Sequence, residues 1–167
     1  MPATENPSSI GRLRPVLIDA TLGFLVSRLI FLAGVLIGII AIPEYAGSLY
    51  APWHTGTPAL IDAAWRWDAG WYLSIARDGY VWNASGESNT VFFPLFPLLL
   101  RLVSLPFEER AVFTAGVLLN HAQFFGALVA VRLYVARLAG RDIARRAVVL
   151  LTAFPGALFF NAAYSES

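Results

Sequence analysis

The chain has 167 residues, of which 57% are hydrophobic and only 14% charged, and its mean hydropathy is +0.63. Soluble domains carry about a quarter of their residues as charges, so this balance excludes an ordinary soluble globule and points to a membrane. Twelve basic and eleven acidic residues leave a net charge of +1, with no basic footprint for nucleic acid, and the lack of cysteine excludes disulfides and thiolate metal sites.

Residues 1–15 are polar and proline-containing and read as a disordered tail ending in Arg12 and Arg14. "ATLGFLVSRLIFLAGVLIGIIAI" then runs over 20–42 with Arg28 as its one charge, long enough for a crossing that needs about 20 residues. A cleaved leader is disfavoured, because its apolar core would be about 7–15 residues followed by a small-x-small exit. "AWRWDAGWYLSIARDGY" follows, combining two arginines, two aspartates and three tryptophans. On one continuous helix over 60–78, Asp62, Arg66, Leu73 and Arg77 share a face. Ile61, Ala64, Trp65, Asp68, Trp71, Tyr72 and Ile75 share the other. An amphipathic helix at the membrane surface accounts for the rings and arginines, but not for a carboxylate in the apolar face, which makes Asp68 a functional candidate.

"VFFPLFPLLLRLVSLP", residues 91–106, is apolar but short, holds Pro94 and Pro97, and is interrupted by Arg101. It reads as an interfacial or re-entrant helix at about 94–104. "AVFTAGVLLNHAQFFGALVAV" gives a second crossing over about 111–135, and a third follows over about 147–163. Arg12, Arg14 and the group Arg132, Arg137, Arg141, Arg145 and Arg146 belong in the cytoplasm by the positive-inside rule, which leaves residues 43–110 as an external loop. Asn120, His121 and Gln123 fall inside the second crossing, where bonds between helices explain them, while Arg28 snorkels or pairs within the bundle. The two histidines, His54 and His121, are too few and too distant for a metal motif, and Asn83-Ala84-Ser85 fits a glycosylation acceptor.

Three segments in order resemble the PIG-V family of mannosyltransferases: "RWDAGWYLSIARDGY" its tryptophan-aspartate segment, "FFPLFPLL" its phenylalanine-proline motif, and "FPGALFFNAAYSES" its tyrosine-x-glutamate-serine motif. The resemblance implies an all-α GT-C-like polytopic bundle, here its N-terminal part from a bacterial relative. It also implies transfer of mannose or a related hexose from a polyprenyl-phosphate-linked donor to an acceptor hydroxyl outside the cytoplasm. General-base chemistry then selects Asp68 as the base, with Glu166 orienting the acceptor or holding a divalent cation. Arg66, Arg77 and Arg101 are candidates for the lipid phosphate, Tyr164 and Ser165 for the substrate, and the phenylalanine-proline segment for the lipid path. The expected partners are membrane lipid, the sugar-carrying lipid and an unidentified acceptor. The expected location is a bacterial plasma membrane with the N-terminus inside, or the endoplasmic reticulum in a eukaryote. Two other readings compete: a transporter or channel fragment whose path is lined by Arg28, Asn120 and His121, and a non-catalytic remnant.

Overall fold

The computed structural model describes residues 9–41, 58–65, 68–105 and 109–163. Among these residues there are six α-helices, α1 (Ser9–Ala41), α2 (Ala59–Ala64), α3 (Ala69–Asp78), α4 (Leu95–Ser104), α5 (Glu109–Ala139) and α6 (Arg141–Ala153), followed by a 3₁₀ helix over Pro155–Asn161. No strand occurs among the described residues, and the protein is an all-α membrane protein. Two helical segments, Leu13–Gly38 and Ala111–Ala139, are long and apolar enough to cross a bilayer. At 1.5 Å per residue the first is roughly 39 Å long, against a hydrocarbon core of about 30 Å. Helix α6 and the 3₁₀ helix together supply a third apolar path, bent by 68°. The bend follows from Pro155, which has no N–H to donate and pushes Phe154 to extended backbone (φ −63°, ψ 136°).

Side-chain pairs fix the register. Asp19 near the start of α1 binds Arg132 near the end of α5 at 2.7 Å, and Phe24 meets His121, Phe124 and Phe125. Helix α5 is therefore antiparallel to α1. Asp19 also approaches Arg145 at 3.7 Å, and Ser27 accepts from Asn161, so α6 and the 3₁₀ helix run parallel to α1. Gly140 (φ 88°) makes the reversal between α5 and α6 in one residue, through a backbone region that side chains avoid. Arg14, Arg137, Arg141, Arg145 and Arg146 are exposed around this end of the bundle.

At the opposite end, α2, α3 and α4 gather on the start of α5 in a core of Trp65, Tyr72, Leu73, Phe96 and Leu100. The buried Trp65 indole donates to Phe113 O at 2.9 Å and crosses the Phe113 ring edge to face. Gly116 makes room for it, because a Cβ there would run into the Trp65 ring and Leu100. Gly116→Leu is expected to destabilise the fold by about 1–3 kcal/mol, while Gly126→Leu, at an exposed site with nothing near its Cβ, should be neutral. Thermal unfolding in detergent micelles compares the two; equal midpoints would refute this packing role.

Two expectations are corrected here. Helix α1 begins at Ser9, so residues 9–15 are helical and not a disordered tail. The segment over 60–78 is not one helix: α2 ends at Trp65 (φ −103°, ψ 61°) and α3 begins only after Asp68. The region expected as a third crossing, about 147–163, holds the bent pair of α6 and the 3₁₀ helix, which starts at Arg141 and turns at Phe154.

Candidate functional site

Because α2 ends at Trp65 and α3 starts at Ala69, the two faces drawn on a continuous wheel do not survive. Asp62 (7% exposed) and Leu73, assigned to the polar face, are buried. Asp68, assigned to the apolar face, is exposed at the head of α3, where its backbone carbonyl accepts from Trp71 N at 2.9 Å. Burial is therefore not what distinguishes this carboxylate. Arg77 in the last turn of α3 and Arg101 in α4 are also exposed. Arg66, Tyr164, Ser165 and Glu166 lie outside the described residues.

One bond draws two of the quoted motifs together. The Ala163 N–H donates to Ala64 O at 2.8 Å, and Ala162 and Ala163 sit in the same core as Trp65 and Ala69. The chain entering the tyrosine-x-glutamate-serine motif is thus fastened to the chain entering the tryptophan-aspartate motif. The third motif buttresses them. Phe92 stacks on Trp71 (6.0 Å) and meets Tyr72 edge to face, and Tyr72 meets Phe96 in turn. Buried Asn89 closes the connecting loop by accepting from Val81 N at 2.8 Å and donating to Gly79 O at 3.2 Å. The outer side of the phenylalanine-proline segment stays apolar and exposed at Phe93 (76%), Leu95, Leu98 and Leu102.

A second polar group lies deeper. Arg28, part-buried in α1, is held between the rings of Phe24 and Phe124 at 4.7 and 4.9 Å and donates through Nη2 to Phe160 O at 3.1 Å. Among the described residues its Nε and Nη1 have no acceptor. Beside it a cleft of about 270 Å³ is lined by Arg28, His121 and Asn161 with Phe31, Leu32 and Leu60 among its apolar walls. Among the described residues, the fully buried Asn120 has no partner for either amide atom, and the side-chain oxygens of Gln123 and Asn161 have none either. The bonds between helices expected at residues 120–123 are not seen among those residues. The cue in the sequence was the lone arginine in an apolar run. Among the described residues, no three His, Asp or Glu side chains lie close enough to share a metal ion.

Comparison with curated proteins finds no match, and comparison with solved structures finds none. Comparison with protein families matches residues 20–167, from the start of the apolar part of α1 to the end of the chain, to the family described as Mannosyltransferase (PIG-V). The match takes in most of the first apolar helix, all three quoted motifs and the fastening between two of them, and the chain belongs to this mannosyltransferase family, a membrane protein of the glycosyltransferase kind.

Proposed function

We propose that this protein moves mannose or a related hexose from a polyprenyl-phosphate-linked donor to an acceptor hydroxyl on the extracytoplasmic side, in the manner of GT-C enzymes. The observation that carries the reading is the Ala163–Ala64 hydrogen bond, since it joins the chain three residues before Glu166 to the chain four residues before Asp68. Two carboxylates so tethered suit a division of labour. Asp68 accepts the proton of the acceptor hydroxyl while the oxygen bonds to the sugar's anomeric carbon; the bond from that carbon to phosphate breaks, and polyprenyl phosphate leaves with the electron pair. Glu166 would orient the acceptor, or would hold a divalent cation whose chemistry would be charge stabilisation at the leaving phosphate. Exposure of Asp68 favours this use, because the acceptor must reach it.

The sidedness rests on arginine placement. Arg14 and the arginines of the α5–α6 reversal crowd one end of the bundle, and the motifs occupy the other; the positive-inside rule then puts the motifs outside. Since the chain has no cysteine, Glu87→Cys and Ala139→Cys give clean single labels. A membrane-impermeant maleimide applied to intact cells should label position 87 and spare 139. The reverse pattern would overturn the sidedness.

The donor is tested in membranes from cells expressing the chain. Labelled mannose should pass into glycolipid from polyprenyl-phosphate mannose, and not from a nucleotide sugar once polyprenyl phosphate is withheld. Transfer directly from the nucleotide sugar would sink the donor assignment.

A further inference from the structure

The end of the bundle opposite the motifs carries two hollows that meet on one helix. The first, about 190 Å³, lies between α1 and α6, where Asp19, Leu22, Val26 and Ala153 line it together with Arg145 and Val149. The second, about 520 Å³, is lined among the described residues by α6 alone, at Asp142, Arg145, Arg146, Val149 and Leu150. Arg145 and Val149 border both hollows, one turn apart, and form the ridge between them.

Each hollow is charged at one end and apolar at the other. At 1.5 Å per residue, about 12 Å of helix separates Arg145 from Ala153 along the first, and about as much separates Asp142 from Leu150 along the second. Thr152, on the wall of the first, shares its hydroxyl between Val148 O and Val149 O, both at 3.0 Å, so it asks for no polar partner there.

The charge at the head of the ridge is not used up inside the protein. Asp19 Oδ2 is held by Arg132 at 2.7 Å, while Arg145 Nε stands 3.7 Å from Oδ1, outside hydrogen-bond reach, with its side chain 70% exposed. Arg141 and Arg146 are exposed on the same two turns of α6. Asp142 stands among them; a carboxylate suits the first turn of a helix, where the macrodipole favours an anion, and three guanidiniums outweigh it. Net positive charge above two hollows that turn apolar along a membrane bundle matches an anionic head carrying two hydrocarbon chains.

We propose that this ridge of α6 seats one diacyl glycerophospholipid with an anionic head, its phosphate on Arg145 and Arg146 and one acyl chain in each hollow. The guanidinium forks suit phosphate oxygens, and the head shields arginines at the start of α6. One chain fills the seam between α1 and α6, so the lipid fastens the bent third segment to the first. This ligand is distinct from the sugar donor of the reading above, which brings a single hydrocarbon chain and acts at the other end of the bundle; the two assignments stand or fall separately.

The test titrates the 167-residue chain in maltoside micelles with dioleoyl phosphatidylglycerol and counts bound lipids by native mass spectrometry. One lipid per chain should be held roughly tenfold or more tighter than dioleoyl phosphatidylcholine, whose choline cancels the phosphate charge, and than single-chain lysophosphatidylglycerol. Arg145→Gln/Arg146→Gln should weaken binding by roughly tenfold or more. Arg137→Gln, at an exposed arginine of the same end that borders neither hollow, should stay within about twofold of wild type. Ala153→Phe changes no charge and fills the seam from an exposed position; it too should weaken binding by roughly tenfold. Equal retention of phosphatidylcholine or of the single-chain lipid, a loss in Arg137→Gln as large as in the double variant, or wild-type affinity in folded Ala153→Phe overturns the proposal.

Discussion

Asp68→Asn in this protein should lower sugar transfer by roughly 10²–10⁴-fold, the usual worth of a general base, while leaving insertion and folding intact. The amide keeps the carboxylate's size and one accepting oxygen but cannot take the acceptor's proton. The exposed position at the head of α3 makes the substitution structurally mild, since the helix is started by the Asp68 backbone carbonyl and its side chain does not cap it. Transfer per folded molecule, from polyprenyl-phosphate mannose in membranes, is the measurement, with Glu166→Gln alongside. Near-normal turnover in well-folded Asp68→Asn would remove the base assignment and leave family membership untouched. Loss in Glu166→Gln alone would move the base to that residue.

The second large effect lies at the other end of the bundle. Arg132 and Asp19 form a 2.7 Å ion pair with side chains 5% and 15% exposed. Asp19→Ala leaves the Arg132 cation buried, and breaking one side of such a pair costs about 3–5 kcal/mol. Exposed Arg145, 3.7 Å from Asp19, cannot replace the lost anion because it carries the same charge as Arg132. Asp19→Ala/Arg132→Met removes both charges and should recover most of the loss, since an apolar side chain suits that depth. Unfolding midpoints of the singles and the double complete the cycle. A double variant no more stable than Asp19→Ala would refute the pairing, and with it the register of α1 against α5.

What the sequence disclosed depended on the range over which each feature is encoded. A crossing helix is a property of about 20 adjacent residues, so the apolar runs around Arg28 and His121 were legible from composition alone. The break between α2 and α3 was not, because "IDAAWRWD" holds neither proline nor glycine and a continuous wheel is its natural reading. The helix ends at Trp65, whose indole donates to the Phe113 carbonyl 48 residues away, a contact that no local pattern announces. Once the break is admitted, Asp68 moves from an apolar face to an exposed head of a helix and Asp62 moves inward. The Arg28 cleft lay further out of sight: the Phe160 carbonyl that holds the guanidinium is 132 residues from it. The sequence marked that arginine as costly but could not show what surrounded it.

The bend at Phe154 bears on how the chain enters the bilayer during synthesis. Helix α6 has 13 residues, about 20 Å at 1.5 Å each, and Arg141, Asp142, Arg145 and Arg146 occupy its first two turns. That leaves residues 147–153, about 10 Å, as its apolar part against a hydrocarbon core of about 30 Å, so α6 has little tendency to leave the translocon by itself. Its buried residues, Ala144, Val148 and Thr152, face inward on the bundle, and Gly23 of α1 lies against the last two. The Gly140 reversal holds α6 beside α5 as soon as both have been made. The order of biogenesis expected from this is that α1 and α5 enter the lipid first, and that their paired surface, on which α6 packs, receives the broken third segment.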